Sequence, residues 1–205
     1  SPLTIADLRS NKIINAGLES LDTQYPIISE ENKSVDPLKR MRWETLWMVD
    51  PLDGTKEFIS KNGEFAVCIA LIHEHKSYAG FVYAPVLGEL YYAIKGQGAY
   101  LEKGGNKIKL AANKFREDEE GLRIAVSRSH KSSKENKALN KYKKPLLVPK
   151  GSVLKMTEVA RGNIDVYPRL DGMTMEWDIA AGQIIVEEAG GTVVYSENNS
   201  QLTYN

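Results

Sequence analysis

The chain has 205 residues, of which 42% are hydrophobic, enough to bury the core of one or two domains. Lysine plus arginine and aspartate plus glutamate number 27 each, so the net charge indicates neither a nucleic-acid partner nor a membrane surface. No apolar run approaches the roughly 20 residues of a membrane-spanning helix. The single cysteine, Cys68, excludes an intrachain disulfide, and we expect a reduced, cytoplasmic setting.

Residues 1–113 predict an N-terminal subdomain with a helix and an antiparallel sheet. Thr4 and Asp7 have the spacing of a capping box, which predicts a helix from that point. Residues 25–29 predict a short strand. An antiparallel meander is then predicted at residues 65–72, 78–84 and 89–93, with a hairpin turn at 103–106.

The charged segment 113–121 is poor in hydrophobic residues and predicts a boundary, so that a C-terminal subdomain covers residues 114–205. This part alternates strands with helices, the first of which is predicted to be capped by Ser132. An antiparallel sheet followed by alternating elements indicates an α+β or α/β fold. The predicted strands are 122–127, 145–148, 164–167 and 192–195, and the later helices are 152–160 and 178–189.

The most informative segment is WMVDPLDGTKEF, residues 47–58. A buried strand is predicted to end at Asp50 and Asp53, because Pro51 turns the chain and aims both carboxylates into one space. At about 4 Å and an effective dielectric near 20, their repulsion is on the order of 4 kcal/mol, so the pair favours a cation between them. Hard oxygen ligands favour Mg²⁺ over zinc. An isolated D-x-x-D is more often a solvated turn, but the longer segment favours the metal site.

The two residues after this turn suit a phosphate. Gly54 allows a ligand to approach the backbone closely, and a helix predicted from Thr55 offers free amides and the positive end of its dipole. The hydroxyl of Thr55 would lie beside the metals.

Further carboxylates stand at other element boundaries, where loops present functional groups. Glu30 and Glu31 follow the strand at 25–29, and taken alone they are a solvated pair. Asp178 opens the last predicted helix and is most simply its N-cap, a role compatible with metal binding.

Several polar residues of the C-terminal half are candidates for binding a second anion through hydroxyls, a helix N-terminus and positive charge. The lysine-rich run at 131–144 favours a solvated helix face instead. His73-Glu74-His75 has a spacing that some metals accept, but its place between two strands favours a solvated turn. The candidates are Ser127, His130, Ser152, Lys155 and Arg169.

Three segments together carry a family resemblance: DPLDGTKEF at 50–58, NGEFAVCIALI at 62–72 and WDIAAG at 177–182. They resemble the inositol monophosphatase superfamily of lithium-sensitive, Mg²⁺-dependent phosphomonoesterases. Within it the sequence is most similar to the 3'(2'),5'-bisphosphate nucleotidases of the CysQ type, since inositol monophosphatases typically have TNF where this chain has Lys56-Glu57-Phe58. The resemblance runs over essentially the whole chain.

The resemblance implies a layered αβαβα sugar-phosphatase-like fold, with an antiparallel N-terminal sheet and a second, smaller mixed sheet, each with helices. It also implies the roles of individual residues, including a carboxylate and a threonine hydroxyl that activate a water. The metal ligands would be Glu30, Asp50, the carbonyl of Leu52, Asp53 and Asp178; the catalytic residues Asp7, Asp53 and Thr55; and the substrate contacts Gly54, Thr55, Ser127, His130, Ser152, Lys155, Arg169 and Asp178.

The implied activity is hydrolysis of the 3'-phosphate of adenosine 3',5'-bisphosphate (PAP) to AMP and phosphate, with its sulfated analogue (PAPS) as a further substrate. Two or three Mg²⁺ ions per site, a role in sulfur assimilation and a homodimer belong to the same expectation. Family members carry more sequence before Ser1 and after Asn205, so we expect this sequence to be a fragment or to lack disordered ends. The alternatives are an inositol or sugar phosphatase, and a catalytically silent nucleotide- or metal-binding module.

Overall fold

A sheet of seven strands forms the largest layer of the protein, whose computed structural model describes residues 2–32, 34–128, 133–170, 172 and 174–205. Strands that are consecutive in the chain are neighbours in the sheet. The first pair is parallel and each later pair is antiparallel. The strands are β1 (Ile27–Ser29), β2 (Thr45–Asp53), β3 (Ala66–His73), β4 (Lys76–Ala84), β5 (Glu89–Ile94), β6 (Ala99–Lys103) and β7 (Asn106–Lys109).

The first helix begins at the capping box of Thr4 and Asp7 that the sequence predicts. The Thr4 hydroxyl accepts a hydrogen bond from the Ala6 amide at 3.1 Å, and the Asp7 carboxylate accepts one from the Thr4 amide at 2.8 Å. This capping box satisfies amides that the first turn of a helix leaves free. The helices are α1 (Ile5–Glu19), α2 (Pro37–Arg40), α3 (Thr55–Ile59), α4 (Ser133–Leu139), α5 (Leu154–Ala160) and α6 (Glu176–Glu188).

The parallel pairing of β1 with β2 departs from the purely antiparallel sheet that we expected. A parallel pair needs a connection long enough to return the chain to the same end of the sheet. Residues 30–44, which include α2, provide that connection. Both strands consequently end at the same edge of the sheet, where their following residues can meet.

A second sheet pairs β8 (Arg123–Ser127) with β9 (Leu146–Lys150) in parallel, with α4 in the connection. Val166 adds one parallel bridge to Ile124 in place of the strand expected at 164–167. Pro168 follows closely and cannot donate to a ladder, which limits the pairing. Within the described residues, this small sheet is therefore parallel rather than mixed.

α6 packs against the seven-stranded sheet at β3, β4 and β5. Gly80 allows the close approach, because a Cβ there would lie 2.5 Å from the carbonyl oxygen of Ala181 in the helix. α5 packs against α6, and α1 packs against β2. The layered arrangement of sheets and helices confirms the expected fold class. Buried residues of the main core include Leu46, Met48, Ile72, Val82, Tyr91, Leu154 and Ile185.

The main core thus combines residues from both sides of position 113, and the division into subdomains 1–113 and 114–205 stays a prediction. Gly190 ends α6 with φ +90°, the left-handed conformation expected there. The strand expected at 192–195 is reduced to one bridge between Val194 and Gln201. Ser132, the predicted cap of α4, lies outside the described residues. In the parts of the chain that the structure describes, we find no helix with the length and apolar character needed to cross a bilayer.

Candidate active site

A cavity of about 530 Å³ collects most of the predicted site residues. It lies where the ends of β1, β2 and β8 meet the starts of α3, α5 and α6. Asp7 is not among its lining residues, and His130 lies outside the described residues. The predicted residues that line it are Glu30, Asp50, Leu52, Asp53, Gly54, Thr55, Ser127, Ser152, Lys155, Arg169 and Asp178.

The turn at the end of β2 aims two carboxylates into this cavity. The pairing of β2 with β3 shifts register between Asp50 and Asp53, so the chain bulges between them. The Leu52 amide donates to the Asp50 carboxylate at 2.9 Å, and Asp50 is only 2% exposed. The Asp53 carboxylate accepts a hydrogen bond from the amide of Val153, which precedes α5. The turn is therefore tied to a segment from the other end of the chain.

Glu30 reaches the same cavity because β1 runs parallel to β2. Its amide continues the pairing by donating to the carbonyl of Val49 at 3.1 Å. Burial, and next the neighbouring charge of Glu31, raise the pKa of Glu30. Glu31 does not line the cavity. The position of Glu30 is consistent with its predicted role as the ligand of the pair, which stays a prediction.

Asp178 is the third residue of α6 rather than its N-cap, so the predicted cap is wrong. The helix begins two residues earlier, and Met175 occupies the N-cap position. The Asp178 carboxylate instead accepts from the Met175 amide at 2.9 Å, the reach-back bond that an acid at the third position makes. Burial, followed by the charges of Asp53 and then Glu30, raises the pKa of Asp178 to about 7.

The carboxylates of the cavity raise one another's pKa values. Burial and the charges of Asp53, Glu30 and Asp178 hold the pKa of Asp50 well above its usual range. Such a set is unfavourable when fully ionised, unless a cation compensates it. Carboxylate and carbonyl oxygens are the donors that Mg²⁺ takes. The residues present therefore fit a hard divalent metal.

A tighter set of possible ligands lies elsewhere. Glu44, His73 and Glu74 place ligand atoms within 4.8 Å of one another. The carboxylates of the cavity are all described, and no three of them have oxygens this close together. Both glutamates of this set are exposed, and the His73 ring bonds the Thr45 hydroxyl at 2.8 Å. Only the spacing of these three side chains suggests a metal site, so we retain the solvated turn that the sequence favoured.

Gly54 lies where the turn at the end of β2 meets the loop before α5. It precedes α3 with φ +92°, a conformation that favours glycine. A Cβ there would also lie 2.9 Å from the Cβ of Ser152 and 3.2 Å from the carbonyl oxygen of Glu64. Both conformation and space therefore require glycine, and the loop before α5 can approach the turn only because this residue has no side chain.

Lys155 and Arg169 supply positive charge to the cavity. The Lys155 ammonium is buried and donates to the carbonyl oxygens of Ser152 at 2.7 Å and Lys150 at 3.3 Å. It lies 5.3 Å from the ring centroid of Tyr167, and burial lowers its pKa. The Arg169 guanidinium donates to the Thr174 hydroxyl at 2.8 Å. Lys155 therefore holds the loop before α5 as well as facing the cavity.

Asp7 lies in α1, beside the cavity rather than in its wall. It is 2% exposed, and its carboxylate is engaged by both the amide and the hydroxyl of Thr4. The Ser10 hydroxyl donates to the carbonyl of Pro51 at 2.8 Å, which anchors α1 to the turn at the end of β2. The capping role of Asp7 is confirmed, and its catalytic role stays a prediction.

Some residues of the site have no recognisable signal in the sequence. The Val153 amide binds Asp53, but any residue other than proline supplies an amide, so its identity is silent. Glu57 is a buried glutamate that lines the cavity in the first turn of α3, and Tyr167 lines it beside Lys155. An acid in the first helical turn usually reads as a dipole partner.

An acidic cavity beside cationic residues and a helix start, in this layered fold, defines a site for hydrolysing phosphate esters. The whole chain, residues 1–205, matches the model of the inositol monophosphatase family. The 3'(2'),5'-bisphosphate nucleotidase CysQ of Aggregatibacter actinomycetemcomitans is 40% identical over 208 residues, which cover 100% of this chain and 76% of that protein. The chain belongs to the inositol monophosphatase family.

Solved structures agree with this assignment. CysQ from Bacteroides thetaiotaomicron, described as a bacterial member of the family, superposes with a TM-score of 0.82 and 39% identity over 93% of this chain and 74% of that one. The Thermotoga maritima inositol monophosphatase has a TM-score of 0.76 and 27% identity over 97% and 74%. The expected superfamily and its fold are thus confirmed.

Proposed function

We propose that the protein is a Mg²⁺-dependent nucleotidase that hydrolyses the 3'-phosphate of PAP to AMP and phosphate. The observation that carries the proposal is a cavity that combines five carboxylates, four of them the predicted metal ligands, with Lys155 and Arg169. A monoester needs one anion site, whereas a bisphosphate needs a second, cationic one. The relatives at about 40% identity that carry this activity in their name support the same conclusion.

The metal would be held by the carboxylates of Glu30, Asp50, Asp53 and Asp178 and by the carbonyl of Leu52. When bound, Mg²⁺, which we propose in two or three copies, would supply Lewis-acid charge to the phosphoryl group and lower the pKa of a water. The protein residues keep these oxygens in place before the metal arrives, since the Leu52 and Met175 amides already orient the carboxylates of Asp50 and Asp178.

The reacting phosphate would lie at the start of α3. Amides of Gly54 and Thr55 point from a helix N-terminus, which favours negative charge. The Thr55 hydroxyl, which donates to the Leu52 carbonyl at 3.4 Å, would orient the attacking water together with Asp7. Asp7 would accept the proton, while its hydrogen bonds from Thr4 keep the carboxylate at the start of α1.

The nucleoside and its other phosphate would lie along the C-terminal wall of the cavity. Ser127 and Ser152 offer hydroxyls there, and Lys155 and Arg169 offer positive charge. His130 is proposed as a further contact and lies outside the described residues. PAPS, which shares the 3'-phosphate, would bind in the same way.

Phosphate release from a panel of substrates tests the proposal. We expect the wild type to prefer PAP and PAPS over inositol phosphates, to need Mg²⁺ and to be inhibited by Li⁺. Asp53→Asn should keep the fold, because its amide oxygen can still accept from Val153, but lose kcat by orders of magnitude. Retained Mg²⁺-dependent turnover in Asp53→Asn would contradict the metal assignment.

The two alternatives give different results in the same panel. A preference for inositol or sugar phosphates would favour the second activity, which is suggested by the shared fold with a solved inositol monophosphatase. Tight nucleotide binding without phosphate release would identify a silent binding module.

We also propose a place in sulfur assimilation, a cytoplasmic location and a homodimer. The buried, unpaired thiol of Cys68 fits a reducing compartment. Fractionation of the native cells and light scattering of the purified protein would test location and assembly.

A further inference from the structure

Three segments of the chain meet behind the cavity at the side chain of Glu64. Its carboxylate accepts from the Gly151 amide at 2.7 Å and from the Arg128 guanidinium at 2.8 and 2.9 Å. The same guanidinium donates to the carbonyl of Pro149 at 3.0 Å. Glu64 thus joins the loop after α3 to the end of β8 and to the loop before α5. None of these groups belongs to the wall of the cavity.

The loop that Glu64 holds is the one that delivers the C-terminal wall. Gly151 is followed by Ser152, which has φ +53°, a conformation that a serine adopts only when its surroundings impose it. Val153 then binds Asp53, and Lys155 binds the carbonyl of Ser152. Displacement of Gly151 would therefore move the cationic wall relative to the turn at the end of β2.

Close packing leaves this loop little room. A Cβ on Gly151 would lie 2.5 Å from Cγ of Glu57 and 3.0 Å from the backbone oxygen of Glu64. Gly54 on the facing side is also crowded, because a Cβ there would lie 2.9 Å from the Cβ of Ser152. The loop is thus packed closely against α3 and the turn that follows it, and the carboxylate of Glu64 holds the Gly151 amide at this contact.

We propose that Glu64 is a positioning residue for nucleotide binding, which, with Arg128, holds the loop before α5 at the distance that a bisphosphate requires. This inference rests on the proposed nucleotidase function, because it concerns the wall that would bind the second phosphate. It assigns Glu64 no contact with the substrate and no proton transfer. Burial tends to raise the pKa of Glu64, but hydrogen bonds from Arg128 and the Gly151 amide lower it overall, so the group stays charged near neutral pH.

Asp165 and Arg123 form a similar ion pair beside the small sheet, and it serves as a control for effects on stability alone. The Asp165 carboxylate also accepts from a backbone amide, that of Arg123 at 2.8 Å, and from its guanidinium at 3.0 and 2.7 Å. Asp165 does not line the cavity. Asp165→Asn therefore removes a charge from an equivalent network without touching the loop before α5.

Binding of AMP and of inorganic phosphate, measured by calorimetry in Mg²⁺, provides the test. AMP carries only the phosphate that would occupy the C-terminal wall, and inorganic phosphate reports the metal side. We expect Glu64→Gln to weaken AMP binding by about tenfold, the size expected when about one hydrogen bond to the nucleotide is lost. Phosphate binding should stay within about twofold, because the metal side keeps its contacts. Asp165→Asn should change neither. For PAP hydrolysis, KM should rise more than kcat falls.

A double variant tests whether Glu64 acts through its arginine. Arg128→Gln alone should resemble Glu64→Gln, and the two together should weaken AMP binding no more than the stronger single change, since they act as a unit. Unchanged AMP binding in Glu64→Gln, or equal loss of AMP and phosphate binding, would overturn the inference. A wild type that binds AMP but releases no phosphate from PAP would refute the nucleotidase proposal while leaving the effect of Glu64 measurable.

Discussion

Replacing Asp178 by asparagine should stabilise the metal-free protein at neutral and alkaline pH. Asp178 is held in a field of other carboxylates, and burial with the charges of Asp53 and Glu30 raises its pKa from 3.8 to about 7. Asparagine has nearly the same shape and can still accept from the Met175 amide. The substitution therefore removes an unfavourable charge and keeps the hydrogen bond that starts α6.

The magnitude follows from proton linkage. A carboxyl whose folded pKa is raised favours the folded state while it is protonated and loses that contribution as pH rises from the unfolded pKa to the folded one. With about 1.4 kcal/mol per pKa unit, the shift from 3.8 to about 7 corresponds to a change on the order of 4 kcal/mol. The difference in unfolding free energy between variant and wild type should grow across that pH window and level off above it.

Urea unfolding in EDTA, from pH 4 to 8, measures this difference, and a parallel series in Mg²⁺ adds the metal. Mg²⁺ at a hundred times the wild-type Kd should stabilise the wild type by about 2.7 kcal/mol, and the same concentration should stabilise the variant by less. A variant that is less stable than the wild type in EDTA at pH 8, or a difference that does not depend on pH, would refute this account of the cavity.

Three other predictions have defined outcomes, two of them with a control substitution. Glu30→Gln should weaken Mg²⁺ binding, measured by calorimetry, by about tenfold or more, which is at least ~1.4 kcal/mol. Glu31→Gln should leave Mg²⁺ binding almost unchanged, because that side chain is outside the cavity wall. Equal effects of the two substitutions would refute the assignment of Glu30 as the ligand. Gly80→Ala should destabilise by roughly 1–3 kcal/mol in urea unfolding, since its Cβ would lie 2.5 Å from a backbone oxygen of α6, while Gly17→Ala, with nothing within 4 Å, should stabilise slightly. Burial would raise the pKa of Asp165, but the hydrogen bonds from Arg123 lower it overall. Asp165→Asn should therefore lower the free energy of unfolding by about 1–3 kcal/mol near pH 7. This loss should shrink as pH falls below 3.8, because the wild-type carboxyl then becomes protonated.

Local features of the site were predictable because they depend on neighbouring residues. Pro51 between two aspartates indicates a turn that presents both, and the structure has a bulge there. The spacing of Thr4 and Asp7 defines a capping box, which forms. The glycine pair after Lys103 indicates the hairpin that joins β6 to β7. Each of these involves groups within a few residues of one another, so no distant partner is needed.

Element ends were less predictable, because distant partners decide them. The apolar run at 192–195 has strand character, but among the described residues it forms a single bridge, between Val194 and Gln201. The last helix extends back to Glu176, whose carboxylate accepts from the Asn205 amide at 2.6 Å and binds Arg40. Contacts between residues so far apart in the chain outweigh the local preference for starting at Asp178.

The sequence by itself determined the chemistry at each turn: paired acids at the end of β2, glycine and threonine at a helix start, and a lysine in the first turn of α5. Only the tertiary structure decided which of these groups meet. The Val153 amide reaches Asp53, and Glu64 reaches both Arg128 and Gly151, across long separations in the chain. Almost every residue has a backbone amide, so the sequence does not show which amide will bind a carboxylate. A salt bridge between two charged residues far apart in the chain produces no periodic pattern in the sequence either. Packing of α5 and α6 on the large sheet brings them together, which is why the cavity exists only in the folded chain.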